Sequence, residues 1–435
     1  MTATVPPETT NRVAGRRFAL PESAAMRWMI YAGGFVVVLS VLRVVTGVND
    51  LTAGGTFSAA LLLAVPILLA GLGGLFAERV GVINIGLEGM MVLGTFGAGW
   101  AGYEYGAWWG VICACIFGAL GGLLHAVATV TFGVDHIISG VAINIIAPGV
   151  VRFLAAIVFV GTSGGAITQG PRISSNTGQF SVPLLSGGNL FGWNTPDPLQ
   201  RIADKHWFLV SDLCGVVHGL TNGVAMYTVL AVLMVPASAY VLWRTPFGLR
   251  LRSIGEKPEA ADSLGVNVYL MKYLGVAISG GLAGLGGGIL VIENGRRFNE
   301  GQTANRGFIG LAALIFGNWR PSGIASGAGL FGFAEALRLR SSPGADSVLA
   351  VILLATVVLA LVSLNALRTR KYVAAAISGA VAIVIGIYYW QAEVVPTEFQ
   401  FMTPYVATLL VLIFASKRLR PPAAEGKSWR KGQTT

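Results

Sequence analysis

Three polar residues stand inside long apolar stretches of the sequence, where a polar side chain has to find hydrogen-bond partners. Asn84 and Glu88 are four residues apart, a spacing that places two side chains on one helix face, and Asn144 lies in a later stretch. Carboxylates in an apolar medium normally face a bundle interior or a water-filled pathway. We therefore expect the three residues to line a path for a polar solute. In the alternative, Glu88 bonds to a neighbouring helix and only locks the bundle.

A second group of residues has the composition of a docking site for a partner protein. It lies in the basic stretch 244–268, and its central residues are Glu259, Ala260, Ala261 and Gly265. Pro258 suits the first turn of a helix, and Gly265 suits its end. Ala260, Ala261 and Leu264 would then form a small apolar face that fits a partner's groove. The alternative is an ordinary basic loop.

The other residues with chemical potential form no recognisable site. The scattered ionisable residues are Asp135, His136 and Glu335, and the cysteines are Cys113, Cys115 and Cys214. They lack the paired acids of a proton relay, and three cysteines cannot build a disulfide framework. The run from Gly327 to Gly332 fits G-x-G-x-x-G but lies in an apolar stretch, and Gly426-Lys427-Ser428 lacks the first glycine of a phosphate loop. We expect no catalytic residue, cofactor or metal in this chain.

The elements that must position these residues are membrane helices. Of the 435 residues, 54% are hydrophobic and 11% are charged, whereas soluble domains carry about 25% charge. This composition excludes a soluble enzyme, and a span needs about 20 apolar residues. Twelve spans are predicted, at 27–47, 57–76, 82–102, 107–131, 137–160, 224–243, 269–292, 304–318, 321–339, 346–365, 372–390 and 404–416. Glycines four apart, such as Gly118 with Gly122 and Gly280 with Gly284, predict close helix packing.

The distribution of charge predicts the topology. The net charge is 30 − 20 = +10, and ten of the 30 basic residues lie near the two ends of the chain. Basic flanks mark the cytoplasmic side, so we expect both termini inside, an even number of spans and no nucleic-acid partner. The predicted regions are a cytoplasmic tail (1–26), a transmembrane domain (27–418) and a second cytoplasmic tail (419–435). Within the domain, 161–223 forms an external loop that either docks a partner or is loosely packed and solvated, and 244–268 is cytoplasmic.

Several motifs together resemble the inner-membrane permease subunits of nucleoside ABC importers, a group that includes ribose, simple-sugar and branched-chain amino-acid permeases. The motifs are GLFAERVGVINIGLEGMMVLGTF (74–96), HIISGVAINI (136–145), RSIGEKPEAADSLGVNV (252–268) and NRGFIGLAALIFGNWRPSG (305–323). The third contains the EAA-x-x-x-G pattern of ABC importer permeases. The resemblance covers about 57–340 and 403–417, and the sequence departs from it at 341–400, where two additional spans are predicted.

The resemblance implies an all-α polytopic protein with the type II ABC importer permease fold, with about ten core helices plus about two extra helices near the C-terminus. It implies coupling to an ATPase through Gly255, Glu256, Glu259, Ala260, Ala261 and Gly265. The implied partners are a second permease subunit in a heterodimer, a cytoplasmic ABC ATPase that binds ATP and Mg, an extracytoplasmic substrate-binding lipoprotein, and the lipid of the bacterial cytoplasmic membrane. The expected activity is nucleoside import by alternating access. The alternatives are a simple-sugar permease, an ion-coupled secondary transporter and a passive channel.

Overall fold

The computed structural model describes residues 24–190, 193–340, 347–392, 396 and 419–431, and this part of the chain is mainly helical. A chain in lipid has to satisfy its backbone hydrogen bonds internally, which long apolar runs do as helices. The helices are α1 (Ala24–Thr46), α2 (Gly54–Glu78), α3 (Leu87–Tyr105), α4 (Ala107–Ala126), α5 (His136–Val158), α6 (Pro198–Ala203), α7 (Val210–Thr221), α8 (Met226–Arg244), α9 (Pro246–Glu256), α10 (Pro258–Ser263), α11 (Val268–Ile289), α12 (Arg306–Phe316), α13 (Pro321–Arg340), α14 (Ser347–Arg368) and α15 (Tyr372–Gln391).

Eight helices among the described residues are long and apolar enough to cross a membrane. They are α1, α2, α4, α5, α8, α11, α14 and α15, with α4 and α11 each extended by a π-helical turn. The chain is therefore a multi-pass helical membrane protein. Eleven of the twelve predicted spans coincide with helices, whereas the span at 404–416 and the tail residues 1–23 lie outside the described residues.

Two of the predicted spans are wrong in extent. The span predicted at 82–102 begins as a helix only at Leu87, because the chain turns back at 79–86. The span predicted at 304–318 is α12, which has 11 residues. At about 1.5 Å per residue, α12 reaches roughly half the thickness of a 30 Å hydrocarbon core. Both helices therefore start inside the bundle.

The centre of the bundle consists of α2 and α11, which are enclosed by α3, α4, α12 and α13. The predicted close packing of glycines is confirmed where α4 crosses α11. A Cβ atom added to Gly118 would lie 2.3 Å from the carbonyl oxygen of Gly280, and one added to Gly280 would lie 2.3 Å from that of Gly118. No side chain fits at this crossing, so the two backbones are in direct contact.

The 161–223 segment is packed against the bundle, so of the two alternatives given for it the loosely packed, solvated loop does not describe it. Its strand β1 (Gln179–Phe180) pairs antiparallel with β4 (Val224–Ala225), and β2 (Asn189–Leu190) pairs with β3 (Trp193–Asn194). Helix α7 lies against α1 and α2, and its Asp212 forms a buried ion pair of 2.7 Å with Arg43 of α1. Ser40 and Thr52 donate to the same carboxylate at 2.6 Å each, so this segment has a fixed position on the bundle.

Four segments that the charge pattern predicts on one side of the membrane meet at one end of the bundle, which we call the coupling end. A guanidinium nitrogen of Arg79 donates to the carbonyl of Trp319 at 2.7 Å. The amide of Ala424 donates to the carbonyl of Gly255 at 2.8 Å. The turn after α2, the turn after α12, the α9–α10 pair and residues 419–431 are therefore neighbours.

The two helices α14 and α15 pack chiefly against each other and make few contacts with α1 and α13. Most of their surface is not covered by other described parts of the chain. They therefore lie at the periphery of the bundle.

Candidate functional site

The chain reverses direction between α2 and α3 and thereby carries Asn84 to the interior. Gly81 adopts a left-handed conformation with φ of +80°, and the helix resumes only at Leu87. Asn84 is fully buried, and its Nδ2 donates to Oγ of Ser279, in the middle of α11, at 2.9 Å. The prediction that Asn84 and Glu88 share a helix face is wrong, since Asn84 lies in the extended turn before α3. The Oδ1 atom of Asn84 is buried and has no hydrogen-bond partner among the described residues.

Two histidines hold the peptide groups of Ile83 next to Asn84. Nε2 of His125 lies 3.0 Å from the carbonyl oxygen of Ile83, which can only accept, so this nitrogen carries the proton. The other nitrogen of His125 lies 2.9 Å from Oγ of Ser139. The amide of Ile83 donates to Nδ1 of His136 at 3.3 Å. His136 therefore serves to position the turn.

Glu88 joins the N-termini of α3 and α12. It lies in the first turn of α3 and is 8% exposed. Its two carboxylate oxygens accept from the amides of Asn305, the residue before α12, at 3.1 Å and of Gly307, in the first turn of α12, at 2.7 Å. A Cβ atom on Gly307 would lie 2.6 Å from Cα of Glu88, so this contact requires glycine. A carboxylate at helix N-termini is stabilised by unpaired amides and by the helix dipole.

Asn144 reaches the same place from α5. Its Oδ1 accepts from the amide of Gly89 at 2.7 Å, and its Nδ2 donates to the carbonyl of Ile85 at 2.9 Å. The side chain therefore caps α3 from a neighbouring helix. The structure thus brings all three predicted residues, Asn84, Glu88 and Asn144, to one helix N-terminus inside the bundle. Much of the hydrogen-bonding capacity of these side chains is taken up by the backbone of this chain.

A cavity of about 420 Å³ opens beside this cluster. Glu88 and Asn144 line it on one side, together with Thr95, and the segment 298–305 lines it on the other. Asn84 does not belong to the lining. Among the described lining residues two are acidic, Glu88 and Glu300, and none is a lysine or an arginine. The cavity therefore suits a polar solute without negative charge.

The segment before α12 contributes polar groups that the sequence reasoning missed. Gln302 lines the cavity, its Oε1 accepts from the amide of Asn299 at 2.9 Å, and its Nε2 is buried without a partner among the described residues. Arg306 holds the segment by donating to the carbonyls of Gln302 and Thr303 at 3.2 and 3.3 Å. The predicted lone carboxylate Glu335 pairs with Arg306 at 2.6 Å. The quoted motif at 305–323 stops short of Gln302, and nothing local marks this glutamine.

The predicted docking motif lies in α9 and α10 at the coupling end. Pro258 opens α10, and Gly265 follows its end with φ of +81°, both as predicted for a short helix. The proposed apolar face is wrong in one residue, because Ala261 is 2% exposed and packs into the chain's own core. Ala260 is exposed, and Leu264 is 84% exposed.

The remaining residues of the motif divide between the surface and the interior. Glu256 and Glu259 are exposed, and Gly255 is buried. A Cβ atom on Gly255 would lie 2.4 Å from the carbonyl oxygen of Arg79, so α9 rests directly on the turn after α2. The guanidinium of Arg79 lies over the ring of Trp243, with its central carbon 5.4 Å from the ring centroid, and burial lowers its pKa. The surface open to a partner thus consists of Glu256, Glu259, Ala260, Leu264 and Gly265.

The chain is similar to known membrane transport proteins. A family model described as a branched-chain amino acid transport system permease component matches residues 56–361, which extends into α14. The guanosine ABC transporter permease protein NupQ of Bacillus subtilis is 37% identical over 291 residues, which cover 65% of this chain and 82% of NupQ. No solved structure matches the chain.

Two other relatives differ in the solute that their names give. The nucleoside ABC transporter permease protein NupC of Lactococcus lactis is 32% identical over 381 residues, which cover 86% of this chain and 96% of NupC. The putative glucose ABC transporter permease protein TsgC13 of Haloferax volcanii is 33% identical over 295 residues, which cover 66% of this chain and 78% of TsgC13.

Proposed function

The chain belongs to the permease component family of branched-chain amino acid transport systems, and we propose that it is the membrane-spanning permease subunit of an ATP-driven ABC importer that moves nucleosides by alternating access. The polar cavity at the N-termini of α3 and α12 carries this proposal. Nucleosides are uncharged and combine hydrogen-bonding groups with a flat base, which suits a lining of amides, carboxylates and apolar side chains such as Val151, Phe298 and Phe308, without basic residues. NupQ and NupC, whose names give guanosine and nucleosides, support the same solute class.

The solute contacts in this proposal are Glu88 and Asn144, joined by Gln302. The buried Nε2 of Gln302 is a donor without a partner among the described residues, so a solute acceptor would satisfy it. Asn84 acts from behind the cavity wall by fixing the turn at 79–86 to α11. When that turn moves, Ile85 and Gly89 move with it and carry Asn144 along through its two hydrogen bonds.

The energy source in this proposal is a separate cytoplasmic ATPase that binds ATP and Mg. It docks on the surface formed by Glu256, Glu259, Ala260, Leu264 and Gly265, where an exposed leucine is flanked by acidic side chains. The orientation proposed from the basic flanks puts both termini and the coupling end in the cytoplasm. A second permease subunit and an extracytoplasmic substrate-binding lipoprotein complete the importer.

A simple sugar is the second candidate solute, and the similarity to TsgC13 favours it. A sugar shares the hydroxyl groups of the ribose but lacks the nucleobase. Competition separates the two candidates, because excess ribose or glucose would block uptake by a sugar permease and leave uptake by a nucleoside permease unchanged.

The test is transport by the purified transporter in liposomes. We expect an ATPase to copurify with this chain and labelled guanosine to enter only when ATP is on the ATPase side. Gln302→Leu should raise the guanosine concentration for half-maximal uptake, whereas Glu300→Gln at the rim should change it little. ATP-independent uptake that follows an ion gradient would refute the importer. Guanosine uptake that is blocked by glucose would refute the nucleoside and favour a sugar as the solute.

A further inference from the structure

Residues 419–431 form an extended strap across the coupling end, which we call the C-terminal strap. The amide of Arg420 donates to Oδ1 of Asn318 at 2.8 Å, in the turn after α12. The amide of Ala424 donates to the carbonyl of Gly255 on α9 at 2.8 Å, and the amide of Gly426 donates to the carbonyl of Gly81 at 3.1 Å. The strap therefore bridges three turns or helices that are far apart in the sequence.

The strap is wedged into the protein. Pro422, Ala424 and Trp429 are buried, and the ring of Trp429 lies 5.4 Å from that of Tyr269 at the start of α11. A Cβ atom on Gly81 would lie 3.0 Å from the carbonyl oxygen of Ala424. Two facing surfaces, the turn at 79–86 and α9, thus close on the strap from opposite sides.

A half-buried acidic side chain of the strap lies at this contact. The Glu425 carboxyl lies against that of Glu78, at the end of α2, and burial raises the pKa of Glu425. Glu78 in turn accepts from the indole nitrogen of Trp319. The end of α2 therefore lies against the strap and also holds the turn after α12.

The contacts of the strap lead directly to the cavity. The turn that holds Gly426 continues through Ile83 and Asn84 to Ile85, whose carbonyl binds Asn144 on the cavity wall. On the other side, Gly255 is the penultimate residue of α9, and α10 starts three residues later at Pro258. Apart from the strap, α9 meets this turn at Gly255, which lies against Arg79 and, with its Cα 3.7 Å from the Cβ position of Gly81, against Gly81.

We propose that the C-terminal strap clamps α9–α10 to the turn at 79–86, so that a displacement of α10 moves the wall of the substrate cavity. This inference rests on the proposed function, since the ATPase supplies the displacement. A permease without the strap would bind its ATPase but transmit the motion poorly, because α9 would slide against Arg79 without moving Asn84 and Ile85.

The test is Ala424→Arg in the complete transporter, reconstituted with its ATPase and binding protein. A buried alanine between two backbones cannot accept an arginine, so the strap must leave its groove. We expect basal ATP hydrolysis to persist, its stimulation by nucleoside-loaded binding protein to be lost, and guanosine uptake to fall at least tenfold. Ser428→Arg adds the same side chain at an exposed position of the strap and should retain stimulation and uptake.

A second measurement covers the case in which Ala424→Arg does not assemble. Trp429→Ala removes the packing on Tyr269 without adding bulk, and hydrogen exchange of residues 79–86 is then compared with the unsubstituted chain. We expect at least tenfold faster exchange there together with weaker stimulation of the ATPase. Normal stimulation of the ATPase with either variant, or unchanged hydrogen exchange at 79–86, would refute the proposed role of the strap. Absence of guanosine uptake by the unsubstituted transporter would instead contradict the proposed solute, while the exchange readout, which needs no solute, would still test the strap.

Discussion

Glu88→Gln is the sharpest test of how the cavity is built, because it removes a charge and one acceptor while keeping the shape of the side chain. Glu88 is 8% exposed, and its carboxylate accepts from two amides at the N-terminus of α12, those of Asn305 and Gly307. A glutamine can accept from one of these amides with its oxygen. Its NH₂ group then faces the other amide, and neither of two donors can satisfy the other.

The expected cost follows from these two contacts. Hydrogen bonds to charged groups contribute about 1.5–3 kcal/mol each, and a neutral one contributes about 1 kcal/mol. Losing one bond and weakening the other therefore costs about 3 kcal/mol in the docking of α12 on α3. Since each 1.4 kcal/mol is a tenfold change, the locally open state should become roughly 100 times more populated.

Hydrogen exchange of a peptide containing Asn305 and Gly307 measures that population, because these amides exchange only from the open state. We expect exchange about 100 times faster in Glu88→Gln. The matched control is Glu300→Gln, which removes a carboxylate from the same cavity. Its side chain is 35% exposed and lies 3.8 Å from the exposed Arg152, an arrangement worth about 0–1 kcal/mol. Exchange at Asn305 and Gly307 within threefold of the unsubstituted chain would refute the capping role of Glu88.

Three further predictions test the packing, the 161–223 segment and the coupling surface. Gly118→Val forces α4 away from α11 and should lower the midpoint temperature of thermal unfolding in detergent. Gly149→Val is the control, since no atom lies within 4 Å of its Cβ position, and it should leave the midpoint unchanged. Equal midpoints for the two variants would contradict the close packing of α4 on α11. Although burial alone would raise the pKa of Asp212, hydrogen bonds and an ion pair lower it below its usual value of 3.8. The ionised Asp212 therefore stabilises the folded protein fully above about pH 4, and this contribution is lost as the pH falls through the lower pKa that Asp212 has in the folded state. The rate of limited proteolysis of the 161–223 segment should be constant from pH 7 to 5 and should rise below pH 4. A rise near pH 6 would exclude Asp212 as its cause. Glu259→Lys or Gly265→Trp should abolish uptake at an unchanged amount of protein in the membrane, and normal solute-stimulated ATP hydrolysis would remove these residues from the coupling surface.

The sequence predicted features that depend on neighbours along one helix or on residue type alone. Pro258 and Gly265 bound α10 because each restricts or permits a local backbone conformation, and the structure agrees. The glycines of α4 and α11 predicted a close crossing because their spacing recurs on one helix face, and Gly118 and Gly280 meet there. The apolar runs likewise predicted the membrane helices, since lipid leaves few alternatives for a backbone.

The sequence did not predict features that depend on partners far away along the chain. The spacing of Asn84 and Glu88 fits a continuous helix equally well, and only the turn at Gly81 decides against it. The inward face of Ala261 depends on which side of α10 meets the core, and a six-residue helix has too few turns to encode that side.

By itself, the sequence determined that this protein is a helical membrane protein and which of its residues are polar in an apolar setting. Only the tertiary structure decided that α3 and α12 begin inside the bundle and that one carboxylate joins them. Glu88 and Gly307 are 219 positions apart. The physical reason is that the amides at a helix N-terminus need acceptors from elsewhere, and periodicity along one helix does not specify which distant side chain supplies them.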